Sequence, residues 1–315
     1  MNDLRIVFMG TPDFAVGILD ALLENGHTIV GVITAPDRPA GRGRKLNLSA
    51  VKKYALEQQL PILQPTNLKH PDFIKELEDL KANLHIVVAF RMLPKIVWQM
   101  PEYGTFNLHA SLLPEYRGAA PINWAIINGE KTTGVTTFFI DDKIDTGAMI
   151  LQEEIPILPE DSAGTLHNKL MLLGADIVLK TVERIKTGHL ETTVQNNAID
   201  LKPAHKIHKD TCKINWNLSK VRIYDFIRGL CPYPTAWTTL YNGDEQLTMK
   251  IYRAEISNES HSLRTGQLVF NKSEIKVAVK GGYINLLEIQ LQGKRRMFTK
   301  DVLNGLKLSK NAYVG

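Results

Sequence analysis

Short apolar runs alternate with amphipathic stretches through the first 190 residues. The runs are typical of buried parallel strands, and the stretches place apolar residues on one face of a helix. The predicted strands are 4–9, 27–34, 61–65, 84–90, 103–106 and 134–140. The predicted helices are 12–24, 49–59, 70–81, one beginning at 94, 121–128 and 162–186. This alternation predicts a doubly wound α/β domain with a mostly parallel sheet over residues 1–190.

The pattern changes after residue 190. Residues 191–206 are polar and are predicted to be a linker, and a second domain is predicted over 207–315. A helix is predicted at 219–229, and β-rich segments separated by Asn-Gly and Gly-Gly turns follow it. The predicted strands are 236–241, 247–256, 267–270, 275–279 and 283–290. A succession of short strands of this kind predicts a small β-barrel.

The composition is that of a soluble globular protein. Hydrophobic residues make up 44% of the chain and charged residues 23%, which is close to the globular average. No apolar run is long enough to span a bilayer, and the N-terminus lacks a signal-peptide pattern. The two cysteines, Cys212 and Cys231, form neither a disulfide framework nor a metal-binding spacing. We therefore expect a cytoplasmic protein that binds no membrane and no metal.

The net charge of +5 is unevenly distributed. Residues 1–202 contain 20 basic and 24 acidic side chains, whereas residues 203–315 contain 18 and 9. A basic domain joined to a slightly acidic one favours a polyanionic partner for the second half. Solvated surface charge without a partner is an equally good explanation of the asymmetry alone.

The strongest chemical pattern lies in residues 107–118. Asn107 and His109 are two residues apart at the end of a predicted strand, so their side chains project to the same side. An amide donor beside an imidazole suits a reaction in which a carbonyl oxygen gains negative charge. The same residues are also compatible with an ordinary proline turn that follows a buried core histidine.

Two motifs together resemble a known family. The block Asn-x-His-x-Ser-Leu-Leu-Pro-x-x-Arg-Gly (107–118) and the block Asp-Asp-Lys-Ile-Asp-Thr-Gly (141–147) resemble the folate-dependent formyltransferases. The fuller run 109–121 is most similar to the branch of that family that acts on methionyl-tRNA. Lys143 and Ala110 stand where glycine is common in the family, and neither is a reactive side chain. The resemblance implies a Rossmann-like formyltransferase domain followed by an OB-like β-barrel that binds tRNA.

The resemblance also implies roles for particular residues. Asn107, His109 and Asp145 are the implied catalytic residues: the first two hold an oxyanion, and Asp145 favours the imidazolium form of His109. The implied folate-binding residues are Arg91, Met92, Leu93, Ser111, Leu112, Leu113 and Pro114. Core packing is an equally good explanation for Met92 and Leu93.

A basic loop follows the second predicted strand. Residues 35–45 contain two prolines and two glycines, which prevent a helix, and four basic side chains: Arg38, Arg42, Arg44 and Lys45. Flexible basic loops order on contact with phosphate backbones, although a solvated mobile loop has the same composition. In tRNA-dependent formyltransferases a loop at this position contacts the acceptor stem. The resemblance therefore implies tRNA contacts, chiefly by Arg42.

The implied activity is transfer of the formyl group of 10-formyltetrahydrofolate to the α-amine of methionyl initiator tRNA, for translation initiation, by a monomeric enzyme. Three alternatives stay open at this point. A glycinamide ribonucleotide formyltransferase shares the catalytic residues but leaves the basic second half unexplained. An amino-sugar formyltransferase needs another role for the basic loop. A non-catalytic RNA-binding protein conflicts with the intact catalytic set.

Overall fold

The computed structural model describes residues 3–40, 45–196 and 200–315. The chain forms two compact units, and each unit is assembled from separate pieces of sequence. The first consists of Met1–Gly118, Thr133–Ile155 and His167–Pro203, and the second of Ala119–Thr132, Pro156–Leu166 and Ala204–Gly315. Within the described ranges, no helix is both long and apolar enough to cross a membrane.

The first 190 residues contain nine strands and six helices in their described part. The strands are β1 (Arg5–Gly10), β2 (Thr28–Ile33), β3 (Arg38–Ala40), β4 (Lys45–Asn47), β5 (Ile62–Leu63), β6 (Leu84–Val88), β7 (Thr105–His109), β8 (Thr132–Phe139) and β9 (Met149–Pro156). The helices are α1 (Asp13–Glu24), α2 (Ala50–Glu57), α3 (Pro71–Asp79), α4 (Lys95–Trp98), α5 (Pro121–Ile127) and α6 (Ala163–Thr187).

Seven of these strands form one sheet in the order β5-β2-β1-β6-β7-β8-β9. The strands from β5 to β7 are parallel, and β8 runs antiparallel to β7. Phe8, Phe106 and Phe138, on β1, β7 and β8, are among the largest fully buried side chains and fill the interior along the sheet. The predicted doubly wound, mostly parallel fold is confirmed.

Most local predictions agree with the structure to within a few residues. The Ser49 hydroxyl accepts a hydrogen bond from the Lys52 backbone N–H at 3.0 Å, which caps α2 as its sequence position predicts. The helix expected to begin at residue 94 is present as the four-residue α4, with Pro94 as its N-cap. The strand expected at 103–106 is wrong in its bounds, because β7 begins at Thr105 and extends to His109. Strand β9 was not predicted.

The segment around residues 35–45 was expected to have no regular structure. Its two ends instead pair as a short antiparallel ribbon, β3 with β4, in which Arg38 lies opposite Asn47 and Ala40 opposite Lys45. Pro39 sits within β3, where an edge position tolerates the missing N–H. The prediction of an irregular loop is therefore wrong for the ends of the segment, and residues 41–44 lie outside the described residues.

The second unit is built on a second sheet. It contains α7 (Lys220–Gly229), β10 (Ala236–Asn242), β11 (Glu245–Ser257), β12 (Leu268–Phe270), β13 (Ile275–Val279), β14 (Gly282–Leu291), β15 (Met297–Phe298), α8 (Thr299–Leu303) and β16 (Tyr313–Val314). The strand order is β12-β13-β14-β11-β10-β16, with β15 beside β14. The six pairings between these strands are all antiparallel.

The two ends of this order meet. Gln267, just before β12, pairs with Tyr313 of β16. The Val314 N–H donates to the Gly266 carbonyl at 2.8 Å, and the Leu268 N–H donates to the Ala312 carbonyl at 3.0 Å. A sheet whose edges join in this way encloses its apolar face. The predicted small barrel is confirmed.

Candidate active site

The carboxyl ends of β6 and β7 bring the predicted site residues to one edge of the first sheet. These two strands are parallel, with Val87 opposite Asn107 and Val88 opposite Leu108. Side chains that follow parallel strands meet at the same edge, where open α/β sheets bind their ligands. The segments 91–93 and 110–114 therefore leave the sheet at the same edge, as their positions after predicted strands indicated.

His109 is the last residue of β7 and is only 7% exposed. Its Nε2 lies 2.9 Å from the carbonyl oxygen of Tyr116, and its Nδ1 lies 3.8 Å from Oδ2 of Asp145. A carbonyl oxygen only accepts hydrogen bonds, so Nε2 must carry the hydrogen. The nitrogen that remains for chemistry is therefore Nδ1, which faces the carboxylate.

Asp145 is held in place from two directions. Its backbone has φ = 55°, in the left-handed region that is uncommon for residues other than glycine. Its Oδ2 accepts a hydrogen bond from the backbone N–H of Gly118 at 2.9 Å, and its side chain is 15% exposed. The structure thus brings together two of the three predicted catalytic side chains, although 36 positions separate His109 from Asp145 in the printed sequence.

The rest of the 141–147 loop has a structural function. Asp141 accepts hydrogen bonds from the Thr146 hydroxyl at 2.8 Å and from the Lys143 backbone N–H at 2.9 Å, as a turn-forming aspartate does. A Cβ atom on Gly147 would lie 1.7 Å from the carbonyl oxygen of Phe139. Only glycine fits there, so the Asp-Thr-Gly sequence reflects a close approach of the loop to β8.

Asn107 lies on β7, two residues before His109, and is half-buried. Within the described part of the chain its side-chain amide forms no hydrogen bond. Its backbone is fixed between β6 and β8, opposite Val87 and Phe138. An amide on a rigid strand with its donors unused is suited to binding a ligand oxygen.

The turn after His109 is supported from inside the protein. Ser111 is fully buried, and its hydroxyl donates to the Glu115 carbonyl at 2.7 Å. Leu113 is 3% exposed, and its backbone N–H and carbonyl bind the Thr136 hydroxyl and the Gln152 amide. Leu112 and Pro114 are half-buried. Of these four predicted folate-binding residues, only Leu112 and Pro114 have side-chain surface that a ligand can touch.

The three predicted folate-binding residues after β6 have different environments. The Arg91 guanidinium donates to the carbonyls of Pro65 and Thr66, which ties the exit of β6 to a neighbouring loop. Met92 is 66% exposed, whereas Leu93 is 6% exposed and packs in the core. Met92 is therefore the member of this group that is available to a ligand, and Leu93 supports the wall behind it.

The predicted tRNA-binding residues are only partly within the described chain. Arg38 is exposed at the start of β3. The backbone of Lys45 begins β4. Arg42 and Arg44 lie outside the described residues.

Sequence reasoning missed one residue that contacts the site loops. Gln195, in the segment predicted to be a linker, is 4% exposed. Its amide donates to the carbonyls of Asp145 at 3.0 Å and Gly147 at 2.8 Å and accepts from Arg117 at 2.7 Å. Nothing in the polar sequence around it distinguishes it from its neighbours.

The cysteines take no part in this arrangement. Cys212 and Cys231 are buried in the second unit, and burial raises the pKa of both thiols. A raised pKa lowers the fraction of reactive thiolate. The chemistry of the site therefore depends on the amide, imidazole and carboxylate groups.

Two protein-family models match the chain. The model described as formyl transferase covers residues 4–182, and the model described as formyl transferase, C-terminal domain, covers residues 206–307. A protein named methionyl-tRNA formyltransferase from Flavobacterium johnsoniae is 59% identical over 100% of both chains. One of the same name from Bacteroides thetaiotaomicron is 53% identical over 98% of this chain and 97% of its own.

Solved structures share the fold at low sequence identity. A sugar 3N-formyl transferase, WlaRD, solved in the presence of dTDP and 5-N-formyl-THF, superposes with a TM-score of 0.65 at 22% identity and covers 94% of this chain and 100% of its own. HypX from Aquifex aeolicus, in complex with tetrahydrofolic acid, gives a TM-score of 0.66 at 16% identity and covers 98% of this chain and 49% of its own. These similarities support the architecture of both units.

Proposed function

The chain belongs to the formyl transferase family, and from this we propose that it transfers the formyl group of 10-formyltetrahydrofolate to the α-amine of methionyl initiator tRNA. The observation that carries the proposal is full-length identity of 53–59% to relatives named methionyl-tRNA formyltransferase. The names of those relatives count against a glycinamide ribonucleotide or amino-sugar acceptor. Because the names are those of enzymes, they also count against a purely RNA-binding protein. Translation initiation places the reaction in the cytoplasm, and we propose that the enzyme acts as a monomer.

The donor site is proposed at the edge where β6 and β7 end. Two solved structures with this fold, WlaRD and HypX, were determined with the folate derivatives 5-N-formyl-THF and tetrahydrofolic acid. In this chain the accessible predicted residues near that edge are Met92, Leu112 and Pro114. Apolar side chains of this kind suit the flat ring of a pterin, while backbone groups provide orientation. The formyl carbon would then lie close to Asn107 and His109.

The proposed chemistry follows from this geometry. The methionyl amine attacks the formyl carbon, the carbonyl oxygen becomes an oxyanion, and the bond to N10 of the folate then breaks. The amine loses one proton and N10 gains one. Asn107 and protonated His109 donate hydrogen bonds to the oxyanion, each contributing about 3–4 kcal/mol to transition-state stabilisation.

His109 and Asp145 have different roles in the proposed reaction: His109 donates a hydrogen bond to the oxyanion, and Asp145 accepts a proton. The Tyr116 carbonyl occupies Nε2, so the donor to the oxyanion is Nδ1–H. Asp145, 3.8 Å from Nδ1, stabilises the positive charge of the ring and can take the amine proton through a water molecule. No covalent intermediate with the enzyme is needed.

The tRNA contacts are proposed for the basic loop and the basic second half. Arg38 is the first residue of β3 and Lys45 the first residue of β4, and Arg42 and Arg44 lie between these strands in the sequence. Residues 203–315 add 18 basic side chains against 9 acidic ones. Phosphate contacts of this kind give affinity and position rather than sequence reading.

A competition assay tests the proposed function. Purified protein receives 10-formyltetrahydrofolate with initiator methionyl-tRNA, elongator methionyl-tRNA, glycinamide ribonucleotide and an amino-sugar nucleotide as acceptors. We expect preferential transfer to the initiator. Transfer only to a small acceptor would overturn the assignment of the acceptor, and salt-dependent tRNA binding without any transfer would overturn the assignment of an enzyme.

Single-turnover kinetics test the catalytic assignment. Asn107→Ala and His109→Ala are expected to slow transfer by about 100-fold or more, while folate binding is largely retained. Asn107→Asp is the matched variant, since it keeps the size of the side chain but has no N–H to donate. Near-normal single-turnover chemistry in Asn107→Ala would contradict the proposed role.

A further inference from the structure

The chain after α6 passes close to the Asp145 loop. Thr193 and Met149 form a two-way backbone bridge, in which each N–H donates to the other carbonyl at 2.8 Å. Two residues further on, the Gln195 side chain is buried, whereas the neighbouring Val194 and Asn196 are exposed. A single buried amide in an otherwise exposed polar segment must have hydrogen-bond partners inside the protein.

All four hydrogen-bonding positions of the Gln195 amide are used. Its Nε2 donates to the carbonyl oxygens of Asp145 and Gly147. Its Oε1 accepts from Nε and Nη2 of Arg117, at 3.1 and 2.7 Å. The orientation is unambiguous, because carbonyls only accept and a guanidinium only donates. The side chain has no capacity left for a substrate.

The Gln195 amide connects the loop that contains Asp145 with the loop that contains Arg117. One side holds the backbone of Asp145, whose φ of 55° lies in the left-handed region that residues with a side chain adopt uncommonly. The other side holds Arg117, and the next residue, Gly118, donates its N–H to Asp145 Oδ2. Gln195 thus stabilises both the left-handed backbone of Asp145 and the position of the group that orients its carboxylate.

We propose that Gln195 is a positioning residue for Asp145, which it holds at the right distance from Nδ1 of His109. The inference rests on the proposed function. Gln195 itself touches neither substrate, so its effect reaches the reaction only through Asp145. Misplacement of a catalytic group by about 1 Å can lower the rate by about 100-fold.

The first test is the Gln195→Ala variant in steady-state kinetics. We expect kcat to fall about 10- to 100-fold, while KM for the folate and for the acceptor each change less than about threefold. Asn196→Ala is the matched control, because it removes a carboxamide from the adjacent exposed position, and it is expected to leave both parameters unchanged. A rise in KM with unchanged kcat in Gln195→Ala would overturn the inference.

Gln195→Glu separates hydrogen bonding from packing. Glutamate has the size and shape of glutamine and still offers an oxygen to Arg117, but its second oxygen would face the carbonyls of Asp145 and Gly147 without a hydrogen to donate. We expect kcat to fall at least as far as in Gln195→Ala. Recovery of wild-type kcat by glutamate would show that Gln195 only fills space, and the inference would be wrong.

A double-mutant cycle with Asp145→Ala tests whether Gln195 acts through Asp145. When Asp145 has already been removed, Gln195→Ala should lower kcat by less than about threefold. A residue with a general structural role would lower kcat by the same factor in both backgrounds, and that result would overturn the inference.

Hydrogen exchange of the Gly118 amide provides a readout without catalysis. This N–H donates to Asp145 Oδ2, so it should exchange faster in Gln195→Ala than in wild type or Asn196→Ala. If the wild-type protein formylated a different acceptor, the proposed acceptor would be wrong, and the Gln195 kinetics would be measured with that acceptor. Unchanged Gly118 exchange in Gln195→Ala would overturn the positioning role whatever the acceptor.

Discussion

A buried ion pair in the second unit allows a quantitative prediction. Arg228, 7% exposed on α7, donates from Nε and Nη2 to Oδ1 of Asp225 at 2.8 Å, and Asp225 is 6% exposed. The remaining Nη1 donates to the carbonyls of Asp161 at 2.9 Å and Leu158 at 3.3 Å. One guanidinium thus neutralises a buried carboxylate and satisfies two carbonyl groups of a segment that lies far away in the chain.

Replacing this arginine should destabilise the second unit strongly. Arg228→Met keeps most of the apolar volume but leaves Asp225 without a counter-charge, and loss of one partner of a buried pair costs about 3–5 kcal/mol. Such a loss lowers the melting temperature of a unit of this size by at least about 6 °C. The double variant Arg228→Met/Asp225→Asn should lose less, because no unpaired charge is then buried.

Differential scanning calorimetry at neutral pH measures both effects. Arg222→Met is the matched control, because Arg222 is exposed on the same helix, and its melting temperature should change by no more than about 1–2 °C. If Arg228→Met had the same melting temperature as Arg222→Met, the ion pair would contribute nothing to the stability of the second unit. If the double variant were the least stable of all, the reasoning from unpaired charge would be refuted.

Three further predictions concern the site, the pH dependence of stability and the tRNA interaction. Gly147→Ala places a Cβ atom 1.7 Å from the Phe139 carbonyl oxygen, so the loop must shift, and we expect at least about a tenfold loss of kcat; Gly305→Ala, with open space around it, is the control. Burial lowers the pKa of His85 to about 4, so the unfolded chain binds a proton that the folded protein does not. Protonation of His85 in the unfolded chain therefore lowers the unfolding free energy by about 3 kcal/mol as the pH falls from ~6.5 toward 4. The unfolding free energy of wild type should fall relative to that of His85→Gln over this range. If Arg42 binds a phosphate, Arg42→Ala should reduce the slope of log Kd against log salt for initiator tRNA by about one; an unchanged slope in binding titrations would exclude that contact.

Much of the fold was predictable because its signals are local. Strand β6 is predicted by Leu84, Ile86, Val87 and Val88, and all five of its residues, including His85, are buried. Ser49 caps its helix as its position indicated. Strand β9 was missed because Gln152, Glu153 and Glu154 place three polar residues in succession, which breaks the alternation expected of a strand. In the structure Gln152 nevertheless binds Thr136 and the Leu113 carbonyl, an interaction that no local pattern predicts.

The candidate site was predictable only where side chains carry the signal. The motif identified His109 and Asp145, and the structure places them 3.8 Å apart. The Tyr116 carbonyl that selects the hydrogen-bearing nitrogen of His109 is a backbone group, which every residue has, so the sequence does not mark it. Gln195 lies 50 residues from Asp145 in the chain, and its polar neighbours made the whole segment resemble a linker. The catalytic and ligand-binding roles of the predicted residues stay predictions.

The discontinuous composition of the two units has a consequence for biosynthesis. All pieces of the first unit have been translated once residue 203 is made, but Ala119–Thr132 and Pro156–Leu166 belong to the second unit. Ile127 is part of the apolar cluster of that unit, and the Trp124 indole donates to the His205 carbonyl at 2.7 Å. During synthesis these apolar side chains have no packing partners until residues 204–315 have emerged from the ribosome. The nascent chain thus exposes a hydrophobic segment for the synthesis time of about a third of the protein, and exposed apolar surface of this kind is prone to aggregate.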